Sequence, residues 1–129
     1  MDFSALKHKR TVVIVGVSEK PDRTSRQLFQ RLSGRAEFEV IPVHPKLKEL
    51  EGKPVMASIS EINRSPDILT LYVNSEISKG MEGDILKMKP GKVIFNPGAE
   101  NPELQMILEK NGIATEEACS LVLLSQNAL

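Results

Sequence analysis

The sequence has one cysteine, one tyrosine and no tryptophan among its 129 residues. A single cysteine, Cys119, cannot form an internal disulfide, which agrees with a reducing compartment. So few aromatic rings argue against a base-stacking platform, and a formal net charge of +0 argues against a polyanion-binding surface. The sequence therefore predicts no nucleic-acid partner.

Long apolar runs and a secretion signal are also missing. The longest apolar runs, residues 12–15 and 121–124, are too short to cross a bilayer, and the N-terminus does not start a signal peptide. With 40% hydrophobic and 26% charged residues, the composition is typical of a soluble globular protein. We therefore expect one domain over residues 1–129, located in the cytoplasm and without membrane contact.

Catalytic and metal-binding patterns are scarce. The chain has two histidines, of which His8 precedes the first predicted strand, and it shows no triad, metal set or carboxylate pair. The phosphate-loop pattern of nucleotide hydrolases is absent. Cys119 has no cation near it in sequence, so we expect it to be a small buried residue. The sequence predicts neither catalytic nor metal-binding residues.

What the sequence does contain is an alternation of short β-branched runs with amphipathic stretches, separated by Gly, Pro or Asn. This alternation predicts a Rossmann-like three-layer α/β fold with a five-stranded, mainly parallel sheet and helices on both faces. The predicted strands cover residues 11–17, 37–43, 67–73, 92–96 and 113–116. The predicted helices cover residues 25–34, 76–88 and 102–111. Residues 46–63 are expected to be irregular, with a short helix near Leu47 and a capped turn over residues 58–63.

The clearest binding signal is the loop that follows the first predicted strand. Gly16 ends that strand, and the loop then offers the Ser25 hydroxyl, the Lys20 and Arg23 charges and the first N–H groups of a helix. These groups can contact a pyrophosphate. The three-glycine dinucleotide fingerprint is absent, which weakens ordinary NAD binding. The alternative is a solvated turn in which Ser25 only caps the helix.

The end of the second predicted strand discriminates between nucleotides. NAD-binding folds place an acidic residue there to hold the ribose hydroxyls, whereas this chain has His44, Pro45 and Lys46. A cation at this position fits the phosphorylated ribose of NADP or coenzyme A. The alternatives are that Lys46 is an ordinary surface charge and that His44 is a hydrogen-bonded loop residue.

Two further strand ends belong to the same predicted edge. After the third strand, Ser75 is expected to cap a helix, and Asn74 can hydrogen-bond a base or an amide. After the fourth strand, Gly98 permits a positive φ or a close approach to a ligand, and a plain turn explains it equally well.

Residues 13–25 and 40–46 together resemble the small single-domain CoA-binding protein family, which is similar to the CoA-binding domain of succinyl-CoA synthetase. The resemblance implies a pyrophosphate held by the first loop, a phosphorylated ribose at the second strand and an adenine at the third. The implied residues are, in that order, Gly16, Val17, Ser18, Arg23 and Ser25; Lys46 beside His44 and Pro45; and Val73, Asn74 and Ser75. The chain departs from the family at Asn74, where an Arg is frequent, and at Cys119-Ser120, where a Cys-Pro pair is frequent.

The leading hypothesis is a module that binds coenzyme A or an acyl-CoA without evident catalysis of its own. One alternative is an NADP-linked oxidoreductase. Another is a regulatory or scaffold protein that senses CoA and passes the signal to a protein partner, with a homo-oligomer also open. A separate hypothesis is that Cys119 forms a mixed disulfide with the CoA thiol.

Overall fold

The computed structural model of the chain describes residues 9–129, so His8 lies outside the described residues. The strands are β1 (Arg10–Val15), β2 (Phe38–Val43), β3 (Glu49–Leu50), β4 (Lys53–Pro54), β5 (Ile68–Leu71), β6 (Lys92–Phe95) and β7 (Ala114–Glu117). The helices are α1 (Thr24–Ser33), α2 (Ser75–Lys79), α3 (Glu82–Met88), α4 (Pro102–Lys110) and α5 (Ser120–Ser125), with a 3-10 turn at Ile59–Glu61.

Five of the strands form one parallel sheet in the order β2-β1-β5-β6-β7. Alternate residues of β1 point to opposite faces of this sheet. Val12 and Ile14 pack with residues of α1 and α5, whereas Val13 and Val15 pack with residues of α3 and α4. The sheet is thus covered by helices on both faces. The predicted Rossmann-like three-layer fold is confirmed.

The helix predicted over residues 76–88 is two helices, α2 and α3. They are separated at Gly80 and Met81, where the Gly80 N–H donates to the Ile77 carbonyl and the Met81 N–H donates to the Ser78 carbonyl. These bonds span three residues, as in a 3-10 turn, and glycine lowers the helix propensity at this point. The prediction of one continuous helix was therefore wrong.

The segment between β2 and β5 is more ordered than predicted. The short helix expected near Leu47 is absent, and an antiparallel hairpin of β3 and β4 follows instead. The hairpin turns at Glu51 and Gly52, which both have positive φ angles of 49° and 82°. The predicted capped turn is confirmed, because the Ser58 hydroxyl accepts from the Ser60 N–H at 3.2 Å at the start of the 3-10 turn.

The strand order changes direction between β1 and β5, since the chain moves from β1 to one neighbour, β2, and later returns to the other, β5. In open parallel sheets, a crevice forms outside the carboxyl ends of the strands at such a point. Among the helices within residues 9–129, none has the length and apolar character needed to cross a membrane.

Candidate functional site

Two adjacent cavities lie at the carboxyl edge of the sheet. The main cavity has a volume of about 1030 Å³ and is lined by the ends of β1, β2 and β5 and by the loop after β6. The loop cavity has a volume of about 280 Å³ and lies at the start of α1. Gly16, Ser18, Lys20 and Tyr72 line both cavities, so one elongated ligand can reach from one into the other.

Gly16 makes the close approach of β1 and β5 at this edge possible. Its φ angle is +87°, which favours glycine. A Cβ atom at this position would lie 2.9 Å from Val73 Cγ1 and 3.3 Å from the Tyr72 carbonyl carbon. The Gly16 N–H also donates to the Val43 carbonyl of β2 at 3.0 Å. One glycine therefore joins the ends of three strands.

The loop after β1 is held by its own hydroxyl groups. The Ser18 N–H donates to Ser25 Oγ at 3.0 Å, and the Lys20 N–H donates to Ser18 Oγ at 3.1 Å. The Arg26 side chain also stabilises the loop, because it donates a hydrogen bond to the Glu19 carbonyl. Each serine hydroxyl accepts from the backbone and keeps its own hydrogen for a further acceptor.

The start of α1 has no internal cap. Arg23 occupies the N-cap position and makes no side-chain hydrogen bond to the helix, and the first turn contains no acidic residue. A cation at a helix N-terminus is unfavourable, because the helix dipole places positive charge there. The alternative in which Ser25 caps the helix is wrong, since Ser25 lies inside α1. The open N–H groups and Arg23 together favour an anion in the loop cavity.

The end of β2 is shaped by His44. Its Nδ1 atom accepts from the Lys46 N–H at 3.0 Å and from the Leu47 N–H at 3.1 Å, which places the proton of the neutral ring on Nε2. His44 is therefore the hydrogen-bonded loop residue that the sequence left open as an alternative. The Lys46 side chain is exposed at the main cavity.

The cations of the two cavities have no acidic partner among residues 9–129. Residues 9–129 contain four ion pairs, and none of them includes Lys20, Arg23 or Lys46. These three positive charges therefore stay available to an anionic ligand.

The end of β5 differs from the expectation. Asn74, rather than Ser75, caps α2, because Asn74 Oδ1 accepts from the Ile77 N–H at 3.0 Å. Ser75 lies outside both cavities and lines a separate hollow beside Glu76 and Asn101. All other predicted site residues line the main cavity or the loop cavity. Their contacts with a ligand stay predictions.

A buried polar network supports the edge at β5 and β6. Asn96 Nδ2 donates to Thr70 Oγ1 at 2.6 Å, and Asn96 Oδ1 accepts from the Ser120 N–H at 2.9 Å. The Thr70 and Ser120 hydroxyls are 2.8 Å apart and share a hydrogen bond. Because all three side chains are buried, Asn96 is a structural residue that fixes α5 against the sheet.

Tyr72 lines both cavities, and no pattern in the sequence predicts its role. Its hydroxyl is buried beside the Thr70 and Ser120 side chains and makes no hydrogen bond of ordinary geometry within residues 9–129. Burial raises the pKa of Tyr72 well above its ordinary value of 10.0, and the nearby Cys119 thiol adds to this effect. Tyr72 is the single tyrosine of the chain, so it is also a natural optical probe of the site.

Residues between β4 and β5 reach the main cavity and were missed by the sequence analysis. Met56 pairs with Val43 in an isolated parallel bridge, and the His44 N–H donates to the Met56 carbonyl at 2.9 Å. This pairing brings Ala57 and Ile59 to the cavity wall. Nothing local in the sequence predicts a pairing between such distant single residues.

Cys119 is half-buried rather than buried, and it occupies the N-cap position of α5. It lines neither cavity, so the geometry gives no support to a mixed disulfide with a bound thiol. Within the described range 9–129, no group of three or more His, Cys, Asp or Glu side chains could hold a metal ion.

Known proteins are similar to this chain in sequence and in fold. The model of a family described as CoA binding domain matches residues 10–125. A Bacillus subtilis (strain 168) protein described as uncharacterized, YneT, is 29% identical over 107 residues, which are 83% of this chain and 78% of that protein. A crystal structure of another uncharacterized protein has a TM-score of 0.86 and 35% identity, with 94% of this chain and 98% of that chain covered.

A larger protein contains the same fold as one part of its chain. The dinucleotide forming acetyl-coenzyme A synthetase 1 of Ca. Korarchaeum cryptofilum matches with a TM-score of 0.69 and 22% identity. The match covers 88% of this chain and 26% of the synthetase, and at this identity it shows the fold alone. The family match, in contrast, spans the whole sheet and both cavities. The chain belongs to the CoA binding domain family.

Proposed function

We propose that this protein binds coenzyme A, with the phosphorylated ribose at the end of β2 and the pyrophosphate in the loop cavity. The observation that carries the proposal is the open start of α1. Arg23 occupies the N-cap position there, where a capping side chain is usual. Both Arg23 and Lys20 line the loop cavity. A pyrophosphate would accept from the free N–H groups and offset the charge of Arg23.

The order of groups in coenzyme A gives the direction of the ligand. Adenosine phosphate, pyrophosphate and pantetheine follow one another in the molecule. The strands follow one another in the order β2, β1, β5. If Lys46 holds the ribose phosphate and the α1 start holds the pyrophosphate, the pantetheine arm extends over β5. This order favours pantetheine, rather than the adenine expected from the sequence, beside Val73 and Asn74.

The strength of binding follows from the charged contacts. Contacts at Arg23, Lys46 and the start of α1 contribute about 1.5 to 3 kcal/mol each, against an association cost on the order of 4 kcal/mol or more. With burial of the adenine added, a dissociation constant on the order of 1 µM is expected. Because the contacts are exposed, added salt should weaken the binding.

The proposal includes no catalytic step. Within residues 9–129, the Ser18 and Ser25 hydroxyls accept from backbone N–H groups, and the His44 ring does the same. The cytoplasmic location and the single-domain organisation remain predictions of the sequence. NADP binding is the competing function, because Lys46 also fits its ribose phosphate, and the test below separates the two.

Calorimetric titration with CoA, 3′-dephospho-CoA and NADPH tests the proposal. We expect CoA to bind most tightly, and the Lys46→Gln variant to lose roughly tenfold to hundredfold in affinity for CoA. The same variant should bind dephospho-CoA as the unaltered protein does. Lys48→Gln is the matched control, because Lys48 is exposed nearby and lines neither cavity. Binding of NADPH but not CoA would overturn the proposal, and so would equal binding of CoA and dephospho-CoA.

A further inference from the structure

We infer that the preferred ligand is an acyl-CoA with an apolar acyl chain, and that the chain lies against the side chains of Val73, Ile77, Met81 and Ile59. We call these four residues the apolar wall. The inference rests on the proposed function, because the wall is part of the main cavity in which CoA is proposed to bind.

The two ends of the joined cavities differ sharply in polarity. Three cations, Lys20, Arg23 and Lys46, and one carboxylate, Glu19, lie at the side of β1 and β2. The apolar wall lies at the side of β5, where the described lining residues carry no charge. A ligand that fits both sides must be strongly anionic at one end and apolar at the other. Free CoA satisfies only the first requirement, since its thiol end is small and polar.

Apart from the buried Ile59, the apolar wall is also incompletely covered by the protein itself. Ile77 is 53% exposed, although it is a large aliphatic side chain at the rim of a cavity. Met81 lies at the break between α2 and α3 and is only half-buried. Methionine adapts its shape to different apolar neighbours, and exposed apolar groups at a cavity rim indicate a binding surface. Covering this wall with an acyl chain would remove apolar area from water.

The same end of the main cavity is also lined by Gly98, which has no side chain, and by Asn74, which has a polar one. Apart from its chain neighbours, no residue has an atom within 4 Å of the position that a Cβ would occupy on Gly98, so Gly98 does not narrow the main cavity that it lines. The Asn74 side chain uses its oxygen to cap α2 and keeps its amide hydrogens free for an acceptor. A carbonyl of the pantetheine arm or of the thioester can accept from this amide. The arrangement orients the acyl group toward Ile77 and Met81.

The test is a series of calorimetric titrations with CoA, acetyl-CoA, butyryl-CoA and octanoyl-CoA. Burial of the chain on the wall should tighten binding by about two- to fourfold for each added methylene, until the wall is covered. The readout is the ratio of the affinities for octanoyl-CoA and free CoA. In the Ile77→Asp variant this ratio should fall to near one, because a charge replaces the exposed apolar surface. Met106→Asp is the matched control, since Met106 is 57% exposed on α4 and lines neither cavity.

The outcomes separate this inference from the proposed function. A ratio that rises with chain length and collapses only in Ile77→Asp supports the inference. Equal affinity for CoA and all three acyl-CoAs overturns it and leaves CoA binding intact. A chain-length effect that Ile77→Asp and Met106→Asp reduce equally also overturns it, because the chain would then bind elsewhere. Failure of every ligand to bind overturns both the inference and the proposed function.

Discussion

Gly16 lies where the ends of β1 and β5 approach each other closely. Replacing it with alanine should destabilise the protein by about 1 to 3 kcal/mol. The new Cβ would lie too close to Val73, and alanine would have to adopt the unfavourable positive φ angle of this position. The shift needed to relieve this contact should also weaken CoA binding. Urea unfolding and calorimetric titration measure the two effects.

Gly98→Ala is the control for this prediction. Gly98 has a similar φ of +91° and lines the same cavity, but a Cβ there meets no atom within 4 Å. We expect a cost of about 1 kcal/mol from the φ angle alone. Equal losses of stability in the two alanine variants would show that the close contact with Val73 is unimportant.

His44 should act on binding by holding the loop that carries Lys46. His44→Ala removes the acceptor of two backbone N–H groups, and we expect CoA affinity to fall about threefold to tenfold as the loop loses its fixed shape. In His44→Asn, the amide oxygen can replace Nδ1 as acceptor, so affinity should be largely restored. Calorimetric titration of both variants checks this. A similar loss in both would instead indicate that the imidazole ring itself contacts the ligand.

At this scale, the positions of some residues could be predicted from the sequence and those of others could not. Gly16, Lys46 and the loop charges follow strand ends directly, so the sequence pattern alone predicted their shared edge. The capping of α2 by Asn74 instead of Ser75 depends on the backbone angles of one residue, which neighbouring polar residues do not reveal. The role of Tyr72 depends on burial by distant residues, which a single sequence does not show.

At the first turn of α1, the residue that we propose to bind phosphate, Arg23, is unfavourable for the stability of the free helix. Arg23→Ser should supply the missing cap and remove an unfavourable charge, which stabilises the free protein by about 1 kcal/mol. The same change should weaken CoA binding by roughly tenfold, because a charged contact to phosphate is lost. Thermal unfolding and calorimetric titration measure the two effects on one variant.

Arg31→Ser provides the comparison, since Arg31 is an exposed cation in the last turn of the same helix. This variant should be slightly less stable, because a cation near the C-terminus stabilises a helix. Its affinity for CoA should not change. If Arg23→Ser destabilised the free protein, the claim that the N-terminus of α1 is uncapped and favours an anion would be wrong.

Among the larger elements, the sheet and the long helices were predictable and the short elements were not. The strands and α1 and α4 have clear hydrophobic periods, so their positions agree with the sequence to within a few residues. Strands β3 and β4 have two residues each, which is too short for any period. Helix α5 has six residues, and the sequence analysis predicted no helix there. Such elements depend on tertiary contacts, as Asn96 shows for α5.

For the whole molecule, Tyr72 should make stability sensitive to alkaline pH. Because burial raises its folded-state pKa, the unfolded chain releases this proton first, so the contribution to stability is complete below pH 10.0 and is lost as the pH rises above it. Tyrosinate absorbance reports Tyr72 alone and should appear only together with unfolding. Tyr72→Phe should lose less stability between pH 9 and pH 12. Tyrosinate formation with an ordinary midpoint in the folded protein would show that the hydroxyl is accessible.

The central claim is that the carboxyl edge of the sheet holds the phosphorylated part of coenzyme A. Backbone amide NMR spectra recorded during titration with CoA test it most directly. We predict that the largest shift changes fall on the first turn of α1, on Gly16 and on Lys46, and that dephospho-CoA reproduces all of them except those at Lys46. Shift changes concentrated instead at Arg64, Ser65 and Met88, which line a separate hollow, would contradict the claim.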